Sequence, residues 1–163
     1  MDAVQGMEKL VARLNAPVER LVRAAVGAAM TVVAKEARAQ INASGASPEV
    51  KRDARALIGK RFVGKGDKAR AKVGFAVGMN KKKREAARAR NIAKYGGQGF
   101  VSANSIHLFV LGTAERFQKK SGQSTGRMAP QLDRVIAAAA ANSASPALAA
   151  AAEKARQILE AGH

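Results

Sequence analysis

The 163 residues fit one domain, and 29 Lys and Arg against 12 Asp and Glu give a net charge of +17. The absence of cysteine excludes disulfides, thiolate nucleophiles and cysteine-based metal sites, and two histidines disfavour zinc. No run approaches the ~20 apolar residues of a membrane span, and Asp2 and Glu8 in a helical pattern argue against a secretory signal, so a reduced, cytosolic setting is the simplest reading.

In chain order, Val4, Met7, Val11, Leu14, Val18, Leu21 and Ala25 recur at helical spacing, and Val22, Val26, Met30, Val33, Ala37 and Ile41 continue the stripe. The spacing predicts one long helix over 3–43, kinked or restarted at Pro17, and ended by Asn42-Ala43-Ser44-Gly45. Ser47-Pro48-Glu49 reads as a cap with proline in the first helical position, opening a short helix to about Ile58 that Gly59 stops. Gly64 and Gly66 mark a turn, after which Val73, Phe75 and Val77 alternate as a strand. Residues 79–100 carry Lys81, Lys82, Lys83, Arg84, Arg88, Arg90 and Lys94 against Glu85 alone, without a clean apolar stripe. They read as a projecting loop or arm. Ile106–Leu111 reads as a second strand closed by Gly112-Thr113, and 114–127 as another projecting, basic loop with Arg116, Lys119, Lys120 and Arg127. After Pro130, Leu132, Val135 and Ile136 begin an alanine-rich helix to about Ala141. Ser145-Pro146 starts a separate last helix with Leu148, Ala152, Ala155 and Leu159 as its stripe. The expected fold is α+β: a long N-terminal helix, a small antiparallel sheet and C-terminal helices in a single domain, 1–163. Much of the 47% apolar content is alanine, Trp is absent, and Phe and Tyr number five and one, so the core is thin and assembly would stabilise it.

Catalytic chemistry finds no support. His107, the internal histidine, has no acid or serine pattern beside it to orient it as a base. Gly122-Gln123-Ser124-Thr125-Gly126-Arg127 has three residues between its glycines where a phosphate-binding loop needs four, and Arg127-Met128 replaces the Lys-Ser/Thr ending. The carboxylates lie mostly on helices beside Lys or Arg, with no pair spaced for acid–base work. No enzyme, cofactor or metal is expected. The basic residues of 81–94 and 114–127 are candidates for an interface or for binding a polyanion through its phosphates. Tyr95 and Phe100 supply little aromatic interleaving for stacking bases.

From Ser105 to Leu132 the chain resembles the neck and tail-completion proteins that join head to tail in tailed bacteriophages. The matching residues are His107-Leu108, then Gly112-Thr113 after three residues, and the re-entry Met128-Ala129-Pro130 with Leu132. The family often has an acid before Gly-Thr, where this chain has Phe109-Val110-Leu111. The resemblance implies a structural, non-catalytic ring subunit between portal and tail, assembled in the host cytoplasm and resident in the virion. Its implied partners are copies of itself and other connector, tail-terminator or tail-tube proteins, with DNA passing through the lumen and no membrane. The alternative from charge alone is a sequence-independent nucleic-acid-binding protein.

Overall fold

The computed structural model describes residues 3–64, 70–95, 101–113, 116–117, 124–126 and 129–161. In chain order they form α1 (Ala3–Ala43), α2 (Pro48–Leu57), β1 (Ile58–Val63), β2 (Arg70–Phe75), α3 (Lys81–Tyr95), α4 (Ile106–Leu111), β3 (Arg116–Phe117), β4 (Ser124–Gly126) and α5 (Val135–Glu160). The class is α+β, with two separate two-stranded antiparallel ladders, β1–β2 and β3–β4.

The scaffold is the α1–α5 pair. Met30, Ala34, Ala37 and Ile41 are the buried positions of α1, and Val135, Ala139, Ser143 and Ala147 those of α5. Both sets recur every three or four residues, which puts each on one face. Alanine and serine at these positions let the two backbones come close. The buried Ser143 hydroxyl is satisfied within its own helix by donating to the Ala139 carbonyl. The end of α1 meets the start of α5, since residues 40–45 and 131–138 line one shared cleft and Asn142 reaches back to Glu36, so the pair runs antiparallel.

One expectation about this pair holds and one is corrected. The long helix over 3–43 is α1, with Pro17 inside it. The two expected C-terminal helices are one, α5, with Pro146 inside it. Proline removes a single hydrogen bond to the residue four positions earlier. At Pro146 that partner is Asn142, and both are exposed, so water can take up the freed carbonyl. Joining the two segments also makes α5 long and apolar enough, by length and composition, to cross a membrane, contrary to the sequence reading. Its last two turns nevertheless carry Glu153, Lys154, Arg156 and Glu160, with Arg156 paired to both glutamates.

Glu36 of α1 accepts from Gln40 Nε2 at 2.8 Å and from Asn142 Nδ2 at 3.3 Å, tying α1 to α5. These bonds, Gln40 first and Asn142 second, hold its carboxyl below the ordinary value of 4.5. A carboxyl lower in the folded than in the unfolded chain stabilises the fold at pH above its unfolded value, and that contribution is lost as pH falls through the folded value. The expected result is a midpoint of thermal unfolding that declines below about pH 4.5, with a shallower decline in Glu36→Gln. Equal slopes for the two proteins would show that Glu36 carries none of it.

The short helix α2 is built as the sequence foresees. The Ser47 hydroxyl accepts from Val50 N–H at 3.4 Å, and Pro48 occupies the first turn. The segment after it departs from expectation. The helix ends at Leu57, and Gly59, read as a simple stop, lies inside β1, which pairs with β2 from Ile58↔Phe75 to Val63↔Arg70. Paired residues share a face and alternate residues change face. Ile58, Lys60, Phe62, Ala71, Val73 and Phe75 therefore lie on one side, and Gly59, Arg61, Val63, Arg70, Lys72 and Gly74 on the other. The first side is fastened to α1: Arg38 donates to the Ile58 carbonyl at 3.2 Å, Lys60 Nζ donates to the Thr31 hydroxyl at 2.8 Å, and the Arg23 guanidinium lies 5.2 Å from the Phe62 ring centre.

The expected strand Ile106–Leu111 is instead the helix α4. Ser102 and Ser105 explain it. Each backbone N–H donates to the other's hydroxyl, at 2.9 and 3.2 Å, and Ile106 N–H donates to the Ser102 carbonyl at 2.9 Å. That closes a helical first turn. Ile106 is buried in the core, with Phe109 and Val110 packed against it, which is the i, i+3, i+4 face of a helix rather than the alternating face of a strand. Within the expected loop 114–127, Arg116–Phe117 pairs with Ser124–Gly126 around a register irregularity. The core itself joins these parts: Ile41, Leu132 and Val101 are its largest fully buried apolar side chains.

Candidate polyanion-binding face

The most chemically distinctive surface lies on the side of the β1–β2 hairpin turned away from α1. After Phe75 the chain turns back over this side. Ala76 holds φ of 57° and Gly78 of 74°, both in the left-handed region. That conformation costs an alanine roughly 1–2 kcal/mol. The turn is pinned where Ala76 N–H donates to the Leu57 carbonyl at 2.8 Å. It is also fitted against Gly59, where a Cβ would collide with the Val77 carbonyl oxygen. The chain then enters α3, whose first turn is capped by Asn80: its Oδ1 accepts from Lys83 N–H at 2.9 Å.

The hairpin, the turn and the start of α3 enclose an open groove of about 670 Å3, lined by Lys60, Arg61, Lys72 and Arg84 and by no acidic residue. Arg61 and Lys72 are direct cross-strand partners, so two like charges sit opposite each other. Such pairs destabilise a sheet. Beside the groove, Lys81, Lys82 and Lys83 are exposed in the first turn of α3, which contains no acidic residue. A helix start already carries partial positive charge from its free N–H groups, so cations there add repulsion. The Lys81–Glu85 pair, at 3.9 Å and highly exposed, offsets little of it.

The structure thus separates the residues singled out from sequence. Arg84 lines the groove, and Lys81, Lys82 and Lys83 are exposed in the same first turn of α3. Arg90 is exposed, donates to the Ala86 carbonyl at 3.3 Å and borders a different cavity of about 220 Å3 with Asp53, Met79 and Val101. Arg88 and Lys94 lie on α3 and Arg116 on β3, with side chains outside the described part; Lys119, Lys120 and Arg127 lie outside the described residues. His107 is exposed on α4 and not, as expected, in a strand, while Leu108 beside it is half-buried. Gly112 ends α4 with φ of 74°, which suits glycine, and Thr113 comes next. The Phe109 carbonyl accepts from Gln131 and Leu132 N–H at 2.8 and 3.0 Å, so the end of α4 and the segment after Pro130 are joined. Among the described residues, no three or more His, Cys, Asp or Glu come together to hold a metal ion.

Sequence reasoning missed Lys60, Arg61, Arg70 and Lys72. The signal was present as two basic pairs, Lys60-Arg61 and Arg70-x-Lys72, placed on either side of the Gly64–Gly66 turn. It depends on recognising Ile58–Val63 as a strand. No protein-family model matches the chain, nor does any curated protein or solved structure.

Proposed function

We propose that the chain is a structural subunit of a tailed-bacteriophage head–tail connector, a neck or tail-completion ring protein rather than an enzyme. The observation that carries this reading is the unfinished far half of the α1–α5 pair. No residue of 17–29 or 148–160 is buried, although Leu21, Val22, Val26, Ala151, Ala155 and Ile158 are half-buried there. Val18, Leu148 and Leu159 are 60%, 73% and 59% exposed. An apolar two-helix layer that, among the described residues, the β1–β2 hairpin covers only in part, where Phe62 meets Arg23, is suited to packing against copies of itself. The charges at the end of α5 favour a protein neighbour over lipid there. The resemblance around His107-Leu108, Gly112-Thr113 and Pro130 supplies the context, a ring in the virion that contacts other connector, tail-terminator or tail-tube proteins. It rests on those residues, and the helical state of Ile106–Leu111 departs from the strand that the family would place there.

Light scattering after gel filtration, with negative-stain imaging, tests this. The expected wild-type species is a closed oligomer. Leu148→Asp combined with Leu159→Asp, both exposed and outside the core, should reduce it to monomer with unchanged helical circular dichroism. A wild-type chain that stays monomeric at high concentration and is not incorporated at a head–tail joint would sink the reading.

A further inference from the structure

We propose that the outward face of the β1–β2 hairpin, with the first turn of α3, seats the phosphate backbone of double-stranded nucleic acid. This goes beyond the ring reading and stands whether or not the chain forms a ring.

Three observations carry it. The groove gathers cations from three separate elements, Arg61 on β1, Lys72 on β2 and Arg84 on α3, with no acid among its lining residues; Lys60 also lines it, but its ammonium is taken up by Thr31 of α1. Among the described residues, none of Arg61, Lys72 and Arg84 is in an ion pair, whereas Arg23, Arg52, Arg134 and Arg156 are. Arg61 and Lys72 are also placed directly opposite each other in the ladder, an arrangement that costs stability in the free protein and that an anion between them would relieve. Finally, the groove is walled by backbone held in a costly conformation at Ala76 and fitted against Gly59, so its shape is built rather than incidental.

The kind of polyanion is set by the remaining lining. Binding of single strands draws on bases stacked upon aromatic rings. Protein partners are anchored by aromatic and apolar side chains in desolvated pockets. Phe62 is the aromatic residue in the groove, it is half-buried, and the Arg23 guanidinium already lies over its ring at 5.2 Å. What the face offers is cationic contact without a stacking platform, which matches a duplex read through its phosphates, independent of sequence.

Fluorescence anisotropy with a labelled mixed-sequence duplex of about 20 base pairs, titrated across salt, tests the site. With three or four phosphates neutralised, log K should fall against log salt with a slope of about −2.7 to −3.6. Arg61→Glu should weaken binding at least about tenfold and make the slope shallower by about one, since one phosphate contact is lost and a repulsion added. The same variant should keep or raise its Tm, by about 1–3 °C, because it turns a like-charge cross-strand pair into an opposite-charge one. Loss of affinity in a protein at least as stable as wild type is a result that misfolding does not produce. Lys35→Glu, exposed on α1 and outside the groove, makes the same change in net charge and should cost much less affinity.

The proposal would be overturned by Arg61→Glu binding as wild type does, by Lys35→Glu weakening binding equally, or by the single strand binding tighter than the duplex. Equal competition by polyglutamate would transfer the face to an acidic protein partner and would also overturn it. Oligomeric state, measured on the same samples, reports separately on the ring reading.

Discussion

Ile41→Ala should lower the stability of the fold by about 3 kcal/mol. Ile41 is fully buried at the end of α1, in the cluster that also holds Leu132, Val101 and Val135. The substitution removes three carbons from a site whose neighbours come from α1, α2, the segment before α4 and the start of α5. Those elements are held in place by separate backbone bonds, so they do not collapse readily into the space. The cost therefore combines lost transfer free energy with a residual cavity. Because much of this core is alanine, few large side chains remain to compensate. Urea unfolding followed by circular dichroism measures the effect as a lower midpoint at unchanged slope. A change within about 0.5 kcal/mol, the range of ordinary surface substitutions, would mean that the cluster does not hold the fold together.

The second large effect concerns two glycines that should respond in opposite directions. At Gly59 a Cβ would meet the Val77 carbonyl oxygen, which is backbone and cannot swing aside. Gly59→Ala must therefore lift the Ala76–Gly78 turn off the hairpin or bend β1, at a cost of about 3 kcal/mol, the upper end for overpacking. Gly27 lies within α1, and a methyl group added there would have nothing within 4 Å. There the same change should add about 0.5–1 kcal/mol by restricting the unfolded chain and favouring helix. Comparing the two variants in one unfolding experiment separates steric cost from propensity. Destabilisation of similar size at both positions would contradict the close approach of the turn to β1. Gly59→Ala should also weaken duplex binding, since the displaced turn is a wall of the groove.

The helices that bury a periodic stripe were legible in the sequence. The 3–43 periodicity corresponds to α1, and Ser47-Pro48 marks the start of α2, because cap chemistry and a repeat near 3.6 residues are local signals. Ile106–Leu111 misled because a six-residue run with five apolar residues around His107 reads alike as strand or helix. The Ser102–Ser105 reciprocal bonds decided the matter, and they involve a pattern, Ser-x-x-Ser, weaker than the usual Ser-x-x-Glu cap. Ile58–Val63 was missed because Gly59 normally ends helices, whereas here it is required by the returning turn, a contact between residues 18 positions apart. Pro146 was overweighted: it is exposed, so the lost hydrogen bond costs less than a buried proline's would. The groove was half legible. Its α3 side stood out as a charge run, but its hairpin side needed the β1–β2 register before Arg61 and Lys72 could be placed opposite each other.

The unburied far half of the α1–α5 pair has a thermodynamic consequence. A segment whose order rests on one helix contacting another gains whatever stability it lacks from the species that covers it. Under the ring assembly we propose, its folding is linked by mass action to the concentration of the chain, rising as RT ln of the free partner relative to its dissociation constant. In such an assembly, dilution would loosen residues 17–29 and 148–160 while leaving the cluster around Ile41 and Leu132 intact. A subunit built this way would hold its core before assembly and complete the rest of its structure only in the assembled particle.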